Sequence, residues 1–279
     1  MAYKTLLTIL HSEEPAEMLI SSAGKLARQM NAHLDILCLG IDQVQVGYYF
    51  AGADSMLQQS SIDQARERAS DVTAKAEELA AREDIRYTVR GVVAQFGALA
   101  DVIAQVARYA DLVILPSPYG AETSTEDEAI LESALFSGQA SVLVMPDSGL
   151  PADFAKRVVV GWNDGTEALN AVRAAIPLLQ QAEQTNIAII NPPPRGPDQS
   201  GPGRSLCMML DRHGVKTEVT SLPKNMPRVS DILLSHANDR DASLVVMGAY
   251  GHSRFRQAIM GGATRDMLQN AHLPVFMSH

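Results

Sequence analysis

The sequence predicts an α/β protein built from two tandem doubly wound domains, each with a five-stranded parallel sheet. First, 279 residues exceed one average domain of roughly 100–200 residues and suit two. Second, 46% apolar and 20% charged residues are an ordinary globular composition. Third, short uninterrupted runs of Val, Ile and Leu alternate with segments of helical period, and this order occurs twice. Such runs are typical of parallel strands covered on both faces by helices.

The first half contains five predicted strands and four predicted helices. The strands are 3–10, 33–40, 85–93, 111–115 and 141–145. The helices are 18–30, 61–82, 96–109 and 128–137.

The second half repeats this order. Its predicted strands are 157–160, 186–190, 215–222, 243–247 and 273–277. Its predicted helices are 166–181, 205–213, 229–238 and 264–270. A stretch rich in Pro and Asp, 145–153, separates the halves and predicts domains 1–148 and 154–279.

Two irregular segments break the symmetry. The insertion 41–60 carries Tyr48, Tyr49 and Phe50, which we expect to pack on their own domain, with ligand contact as the alternative. The stretch 191–203 is rich in Pro and Gly, so a surface loop is expected and a lid is the alternative.

Charge and hydropathy exclude several classes of protein. A net charge of −9 argues against a nucleic-acid partner or an anionic membrane surface, both of which need an excess of Lys and Arg. No apolar run approaches the roughly 18 residues that a membrane helix needs. Cys38 and Cys207 stand singly in apolar stretches, as buried thiols do in a reducing compartment. We therefore expect a cytoplasmic protein.

A glycine-rich, basic segment follows the fourth predicted strand of the second half. It runs from Gly248 to Arg265 and contains Gly251, His252, Gly261 and Gly262, with two further arginines, Arg254 and Arg256. No carboxylate occurs in it, although the chain is acidic overall. Glycine lets backbone N–H groups approach a phosphate closely, and the helix that follows adds donors and a favourable dipole. The segment predicts an anion site, and glycines that only form turns are the alternative.

The spacing of Gly248, Gly251 and Gly261 resembles the signature G-x2-G-x9-G of the universal stress protein family, in which Ser or Thr follows the last glycine. The resemblance extends over nearly the whole chain and implies a Rossmann-like, adenine nucleotide alpha hydrolase-like fold. It also implies binding of ATP, or of AMP or ADP, with or without Mg²⁺. Gly262 departs from the signature, so the missing hydroxyl contact has to come from backbone N–H groups or from Thr264.

Further site residues follow from the resemblance alone. The family places an acidic residue after the first strand, which falls on Asn163 or Asp164 depending on how the segment is matched. Capping of the next helix by Asp164 or Thr166 is the structural alternative. The other positions that the resemblance implies are Gly161, Ile190, Met247 and Ala263.

The first half resembles a degenerate copy. Its corresponding segment, 115–132, has prolines where glycines are wanted and five carboxylates near the expected phosphate position. His11 and Ser12 replace the acidic residue after the first strand. We expect this half to be a structural partner. The family's dimer edge implies an intramolecular pseudo-dimer through strands 142–145 and 275–277, or a homodimer.

The resemblance implies a nucleotide-binding protein of the stress response whose occupancy signals to a protein partner that the sequence does not identify. Binding is expected, with slow ATP hydrolysis at most, since the sequence has no P-loop, nucleophile elbow or paired metal-ligand motif. Two alternatives remain: an ATP-dependent enzyme of related hydrolase-like architecture, and a scaffold that binds no nucleotide.

Overall fold

The computed structural model describes residues 2–43, 54–120, 123–192, 201, 203–250 and 262–279, and for 54–58 it describes the backbone only. The chain divides into two compact units, Ala2–Val142 and Leu143–His279. The domain limits 1–148 and 154–279 stay a prediction.

The first unit alternates strands and helices. Its strands are β1 (Thr5–Leu10), β2 (His33–Asp42), β3 (Arg86–Gln95) and β4 (Leu112–Pro116). Its helices are α1 (Ala16–Met30), α2 (Asp54–Ala80), α3 (Leu99–Ala107) and α4 (Thr125–Glu132). A 3₁₀ turn, Phe96–Ala98, precedes α3, and a π-helical turn, Ser133–Ser137, follows α4. The division between the units falls within β5 (Val142–Met145).

The second unit has the same order of elements. Its strands are β6 (Arg157–Gly161), β7 (Gln184–Ile190), β8 (Thr217–Leu222), β9 (Leu244–Gly248) and β10 (Val275–Ser278). Its helices are α5 (Thr166–Leu179), α6 (Arg204–Arg212), α7 (Val229–Asp239) and α8 (Ala263–Asn270).

Both units are doubly wound, which confirms the predicted fold class. The first unit has the strand order β3-β2-β1-β4, and the second has β10-β9-β6-β7-β8. All the assigned pairings within these orders are parallel. The central strands β1, β4, β6 and β9 are almost wholly buried, as expected for strands covered by helices on both faces.

Local chemistry explains how α1 begins and ends. Leu19, Ala23 and Leu26 follow one another at helical spacing on its buried face. Asn31 ends the helix in the left-handed conformation (φ 49°), and its N–H donates to the carbonyl of Arg28. Asparagine tolerates this conformation better than most residues do, so the chain can turn directly into β2.

The prediction for the insertion 41–60 needs correction. β2 continues to Asp42 and α2 begins at Asp54, seven residues before the predicted start at residue 61. The prediction of a long irregular loop is therefore wrong from residue 54 onward, where α2 has already begun. Tyr48, Tyr49 and Phe50 lie outside the described residues.

A buried polar network joins α7 to β7 and β8 in the second unit. The His236 ring is 7% exposed, and its Nε2 lies 2.8 Å from Oδ1 of Asn186. Asn186 Nδ2 donates to Thr220 Oγ1 at 2.9 Å, so its Oδ1 is the acceptor and His236 Nε2 is the donor. Arg240 donates to Thr220 and to both carboxylate oxygens of Glu218. These contacts satisfy polar groups that burial would otherwise leave unpaired.

This network predicts a pH-dependent stability. Burial first, and then the charge of Arg240, lowers the pKa of His236. Below about pH 6.5 the unfolded chain takes up a proton that folded His236 resists, so the free energy of unfolding should fall as the pH falls. Urea titrations at about pH 7.5 and about pH 5.5 measure the free energy of unfolding. Its fall between the two pH values should be smaller for His236→Gln than for the unchanged chain. Replacement of the exposed His213 by Gln is the matched control, and an equal effect of both variants would contradict the assignment.

Candidate functional site

The carboxyl ends of three parallel strands lie level at one edge of the second unit. Gly161, the last residue of β6, pairs with Met247 of β9 on one side and with Ala188 of β7 on the other. Ile190 ends β7 two residues beyond Ala188 and is half-buried, as Met247 is. In doubly wound sheets ligands bind at this edge, where the strand order reverses.

The turn after β6 leads directly into α5. Asn163 is exposed, and its Oδ1 accepts the N–H of Gly165 at 3.0 Å. Asp164 is also exposed and adopts the left-handed conformation (φ 61°). The N-cap of α5 is Gly165, without a side-chain cap, so the expectation that Asp164 or Thr166 caps this helix is wrong. Both Asn163 and Asp164 face solvent at the carboxyl edge.

Gly248 lets β9 approach the first turn of α5 closely. A Cβ at this position would lie 2.5 Å from the backbone nitrogen of Ala168 and 2.7 Å from the carbonyl carbon of Glu167. Both are backbone atoms, which cannot turn aside as a flexible side chain can. Glycine is therefore required here by packing, whatever the site binds.

A hydrogen bond joins Tyr250, just after β9, to the first turn of α8. Tyr250 adopts the left-handed conformation (φ 55°), which is rare for an aromatic residue, and its N–H donates to Thr264 Oγ1 at 3.0 Å. Thr264 is 3% exposed, whereas Ala263, the first residue of α8, is exposed. Gly262 is the N-cap, with φ −73° and ψ 146°, and α8 has no side-chain cap.

The structure brings most of the predicted site residues to this edge. It places there Gly161, Asn163, Asp164, Ile190, Met247, Gly248, Gly262, Ala263 and Thr264. Gly251, His252 and Gly261 lie outside the described residues, as do Arg254 and Arg256. Their roles stay predictions.

Two residues of this edge were missed by reasoning from the sequence. Tyr250 holds the loop, and no local pattern marks an aromatic residue for the left-handed conformation. Arg228, the N-cap of α7, places its guanidinium 3.9 Å from the carboxylate of Asp266 in the first turn of α8. This pairing joins residues 38 positions apart, so only the folded chain discloses it.

The electrostatics of the edge favour an anion. The first turns of α5 and α8 both carry backbone N–H groups without a side-chain cap. Such groups, together with the positive end of the helix dipole, attract negative charge. Arg265 adds an exposed cation in the first turn of α8.

The same edge of the first unit is occupied by side chains of its own chain. His11 Nε2, just after β1, lies 2.8 Å from Asp127 Oδ1 in the first turn of α4. The Asp127 carboxylate also accepts the N–H of Ser124, the N-cap of α4, at 2.8 Å. Two neighbouring carboxylates also accept hydrogen bonds. Glu126 accepts one from the side-chain amide of Gln43, just after β2, and Glu128 accepts one from the hydroxyl of Tyr119 at 2.8 Å.

These contacts favour the charged forms of Asp127 and Glu126. Burial raises the pKa of Asp127, but hydrogen bonds from His11 and Ser124 outweigh it and leave the pKa below its usual value. Burial also raises the pKa of Glu126, but hydrogen bonds that include those of Ser124 and Gln43 outweigh this effect and leave the pKa below its usual value. The edge of the first unit therefore presents negative charge where that of the second presents helix N-termini.

The described residues contain no group of three or more His, Cys, Asp and Glu side chains placed to hold a metal ion. In the same part of the chain, no helix has both the length and the apolar character needed to cross a bilayer.

The fold and the edge define a class of protein: a tandem doubly wound α/β protein in which the switch point of the first unit is occupied by side chains of its own chain. Residues 155–279 match the model of the universal stress protein family. The resemblance seen in the sequence is confirmed. Universal stress protein Slr1230 of Synechocystis is 31% identical over 67 residues, which are 24% of this chain and 22% of that protein.

Similar solved structures extend over both halves. A universal stress protein from Archaeoglobus fulgidus covers 99% of this chain and 96% of its own, with 16% identity and a TM-score of 0.69. A protein of unknown function from Pseudomonas aeruginosa covers 99% and 92%, with 14% identity and a TM-score of 0.56. The cytoplasmic domain of a prokaryotic cation chloride cotransporter covers 99% and 95%, with 12% identity and a TM-score of 0.50. These likenesses show the fold alone.

Replacement of Gly248 by Ala should destabilise the chain by about 1–3 kcal/mol, because the added Cβ would force β9 and α5 apart. Urea denaturation at neutral pH measures the change. Gly97→Ala is the matched control, since no atom lies within 4 Å of the Cβ position there. Equal stability of the two variants would show that the close approach is not required.

Proposed function

We propose that the second unit binds an adenine nucleotide, ATP or its products ADP or AMP, and that this occupancy serves a regulatory role in a stress response. The nucleotide would lie across the carboxyl edge, with its phosphates at the start of α8 and its nucleoside toward Asn163, Asp164 and Ile190.

The single observation that carries this proposal is the contrast between α8 and α4, which hold the same place in the two units. The N-cap of α8 is Gly262, which has no side chain to cap the first turn of the helix. The N-cap of α4 is Ser124, bonded to Asp127, and the first turn of α4 carries three carboxylates. A phosphate is attracted to the first arrangement and repelled by the second.

The charge of the loop between β9 and α8 supports a phosphate ligand. The segment from Gly248 to Arg265 has three arginines and no carboxylate. Asp266, the first carboxylate after it, lies 3.9 Å from Arg228, which offsets its charge. The net local charge is therefore positive within an acidic chain, and it should attract a polyphosphate more strongly than a nucleoside.

Binding without rapid turnover is part of the proposal, as the resemblance implies. The described residues contain no group of His, Cys, Asp and Glu side chains placed to hold a catalytic metal ion. A scaffold role suits the first unit, because its carboxylates already have partners within the chain. The pseudo-dimer of the two halves and a homodimer stay predictions.

The proposal is tested by the ligand that the protein retains. Mass spectrometry of material released by denaturing freshly purified protein should detect adenine nucleotide at up to one molecule per chain. Protein stripped of ligand should bind ATP in titration calorimetry at one site per chain. No retained nucleotide and no ATP binding would favour the scaffold, and rapid ATP turnover would favour the enzyme.

Substitution of Gly261 by Val should abolish ATP binding, since a branched side chain would hold the backbone away from the phosphates. Gly120, in the corresponding loop of the first unit, is the matched control, because the nearest atom to a Cβ there lies 3.6 Å away. Gly120→Val should leave the titration unchanged. ATP affinity that survives Gly261→Val in a folded protein would place the phosphates elsewhere.

Substitution of Gly262 by Ser should strengthen ATP binding by about 0.5–1.5 kcal/mol, the net value of one added hydrogen bond. With φ −73° and ψ 146°, Gly262 lies in the extended region that serine adopts freely, so a hydroxyl can be introduced there without backbone strain. Calorimetry with ATP and AMP measures the change, and the gain should be larger for ATP. Weaker binding by a folded Gly262→Ser variant would show that the hydroxyl does not reach a phosphate.

A further inference from the structure

A cavity of about 300 Å³ lies in the first unit, between the carboxyl-terminal half of α3 and the faces of β1, β2 and β3. It is lined by Leu7, Asp35, Ile36, Leu37, Thr88, Arg90, Gln105, Val106 and Tyr109. Leu7, Asp35 and Thr88 are each the third residue of their strand, so the cavity lies toward the amino ends of the strands. It is therefore separate from the carboxyl edge.

The same place in the second unit is filled. Asp35 pairs with Leu7 of β1 as Asn186 pairs with Val159 of β6, so Asp35 and Asn186 hold equivalent positions. In the second unit the ring of His236 covers this position and is hydrogen-bonded to Asn186 at 2.8 Å. The polar groups there are satisfied within the protein.

In the first unit the position of His236 falls on Ala104 of α3. His236 stands eight residues before Leu244, where β9 begins, and Ala104 stands eight residues before Leu112, where β4 begins. A methyl group thus replaces an imidazole ring next to the cavity, although Ala104 does not itself line it. Arg108, at the position of Arg240, turns back to donate to the carbonyl of Ala104 at 2.7 Å and does not cross to the sheet.

Charged and polar groups surround an apolar floor in this cavity. Leu7, Leu37 and Val106 contribute aliphatic surface, and Asp35 and Arg90 contribute opposite charges from neighbouring strands. Leu37, which pairs with Arg90, lies two residues after Asp35, so the two charges are diagonal neighbours on one face. Asp35 lies 3.6 Å from His33.

Several of these groups have no partner within the described part of the chain. The Arg90 guanidinium and the Gln105 amide form no hydrogen bond or ion pair with a described residue. The side chain of Tyr109, a residue 78% exposed, forms none either. Unpaired donors that converge on a concave, partly apolar surface are typical of small-molecule sites, which begin near 300 Å³.

We propose that this cavity binds a small zwitterion, a free α-amino acid with an aliphatic side chain. Its ammonium group would face Asp35, and its carboxylate would pair with Arg90, whose planar guanidinium suits a bidentate contact. The side chain would lie on Leu7, Leu37 and Val106. A simple anion would meet the charge of Asp35 and a simple cation that of Arg90, so a ligand with both charges fits best.

Calorimetry of the full chain with L-leucine tests the proposal. One leucine molecule should bind per chain. Isovalerate keeps only the negative charge and isoamylamine only the positive charge, so each should bind at least about tenfold more weakly than leucine. Arg90→Gln and Asp35→Asn should each weaken leucine binding about tenfold. Ala104→His, which introduces the residue of the second unit, should abolish it.

Arg86→Gln is the matched control, since Arg86 lies on the same face of β3 but does not line the cavity. It should leave leucine affinity unchanged. Circular dichroism should show that each variant is folded; if Ala104→His is not, the exposed Arg90 still decides the result. The proposal is overturned if the unchanged chain does not bind leucine or if Arg90→Gln binds leucine as well as the unchanged chain does. It is also overturned if both single-charge analogues bind as well as leucine does.

Discussion

The close approach of helices to the carboxyl ends of β6 and β9 is the constraint on which the candidate site depends. Gly161 and Gly248 end these strands, and each lacks a side chain where a neighbour comes near. A Cβ at Gly161 would lie 2.9 Å from the side chain of Leu233 in α7, and one at Gly248 would meet the backbone of α5. The ends of these strands lie level, and the N-termini of α5 and α8 lie at the same edge, which is the arrangement on which the proposed phosphate site rests.

The two units show how one frame supports different chemistry. The strand pairings and helix positions are shared, but side chains decide what each concave surface offers. At the carboxyl edge the first unit is bridged by His11 and Asp127, a pairing with no counterpart among the described residues of the second unit. At the opposite end the second unit has His236 bonded to Asn186, where the first unit has Ala104. The fold therefore does not determine function by itself, as its likeness to a cotransporter domain also illustrates.

Much of the fold could be predicted from the sequence because strand and helix formation depend on local patterns. Runs rich in Val, Ile and Leu marked most of the strands, all ten predicted strands end within two residues of the observed bounds, and helical spacing marked α1 and α5. The start of α2 was missed because its first turns are polar and lack an apolar period. Gly248 was predicted for its closeness to a ligand, whereas the structure also shows that packing against α5 requires it.

The sequence by itself determined the two repeated α/β units, the glycine spacing and the absence of carboxylates from the loop of the second unit. These properties are carried by neighbouring residues, so they can be recognised without a fold. Only the tertiary structure decided that Tyr250 is held by Thr264, that Asp127 reaches His11 across 116 positions, and that Asp35 and Arg90 line one cavity. Each of these depends on how far apart distant segments lie in space, and neither composition nor periodicity encodes that distance.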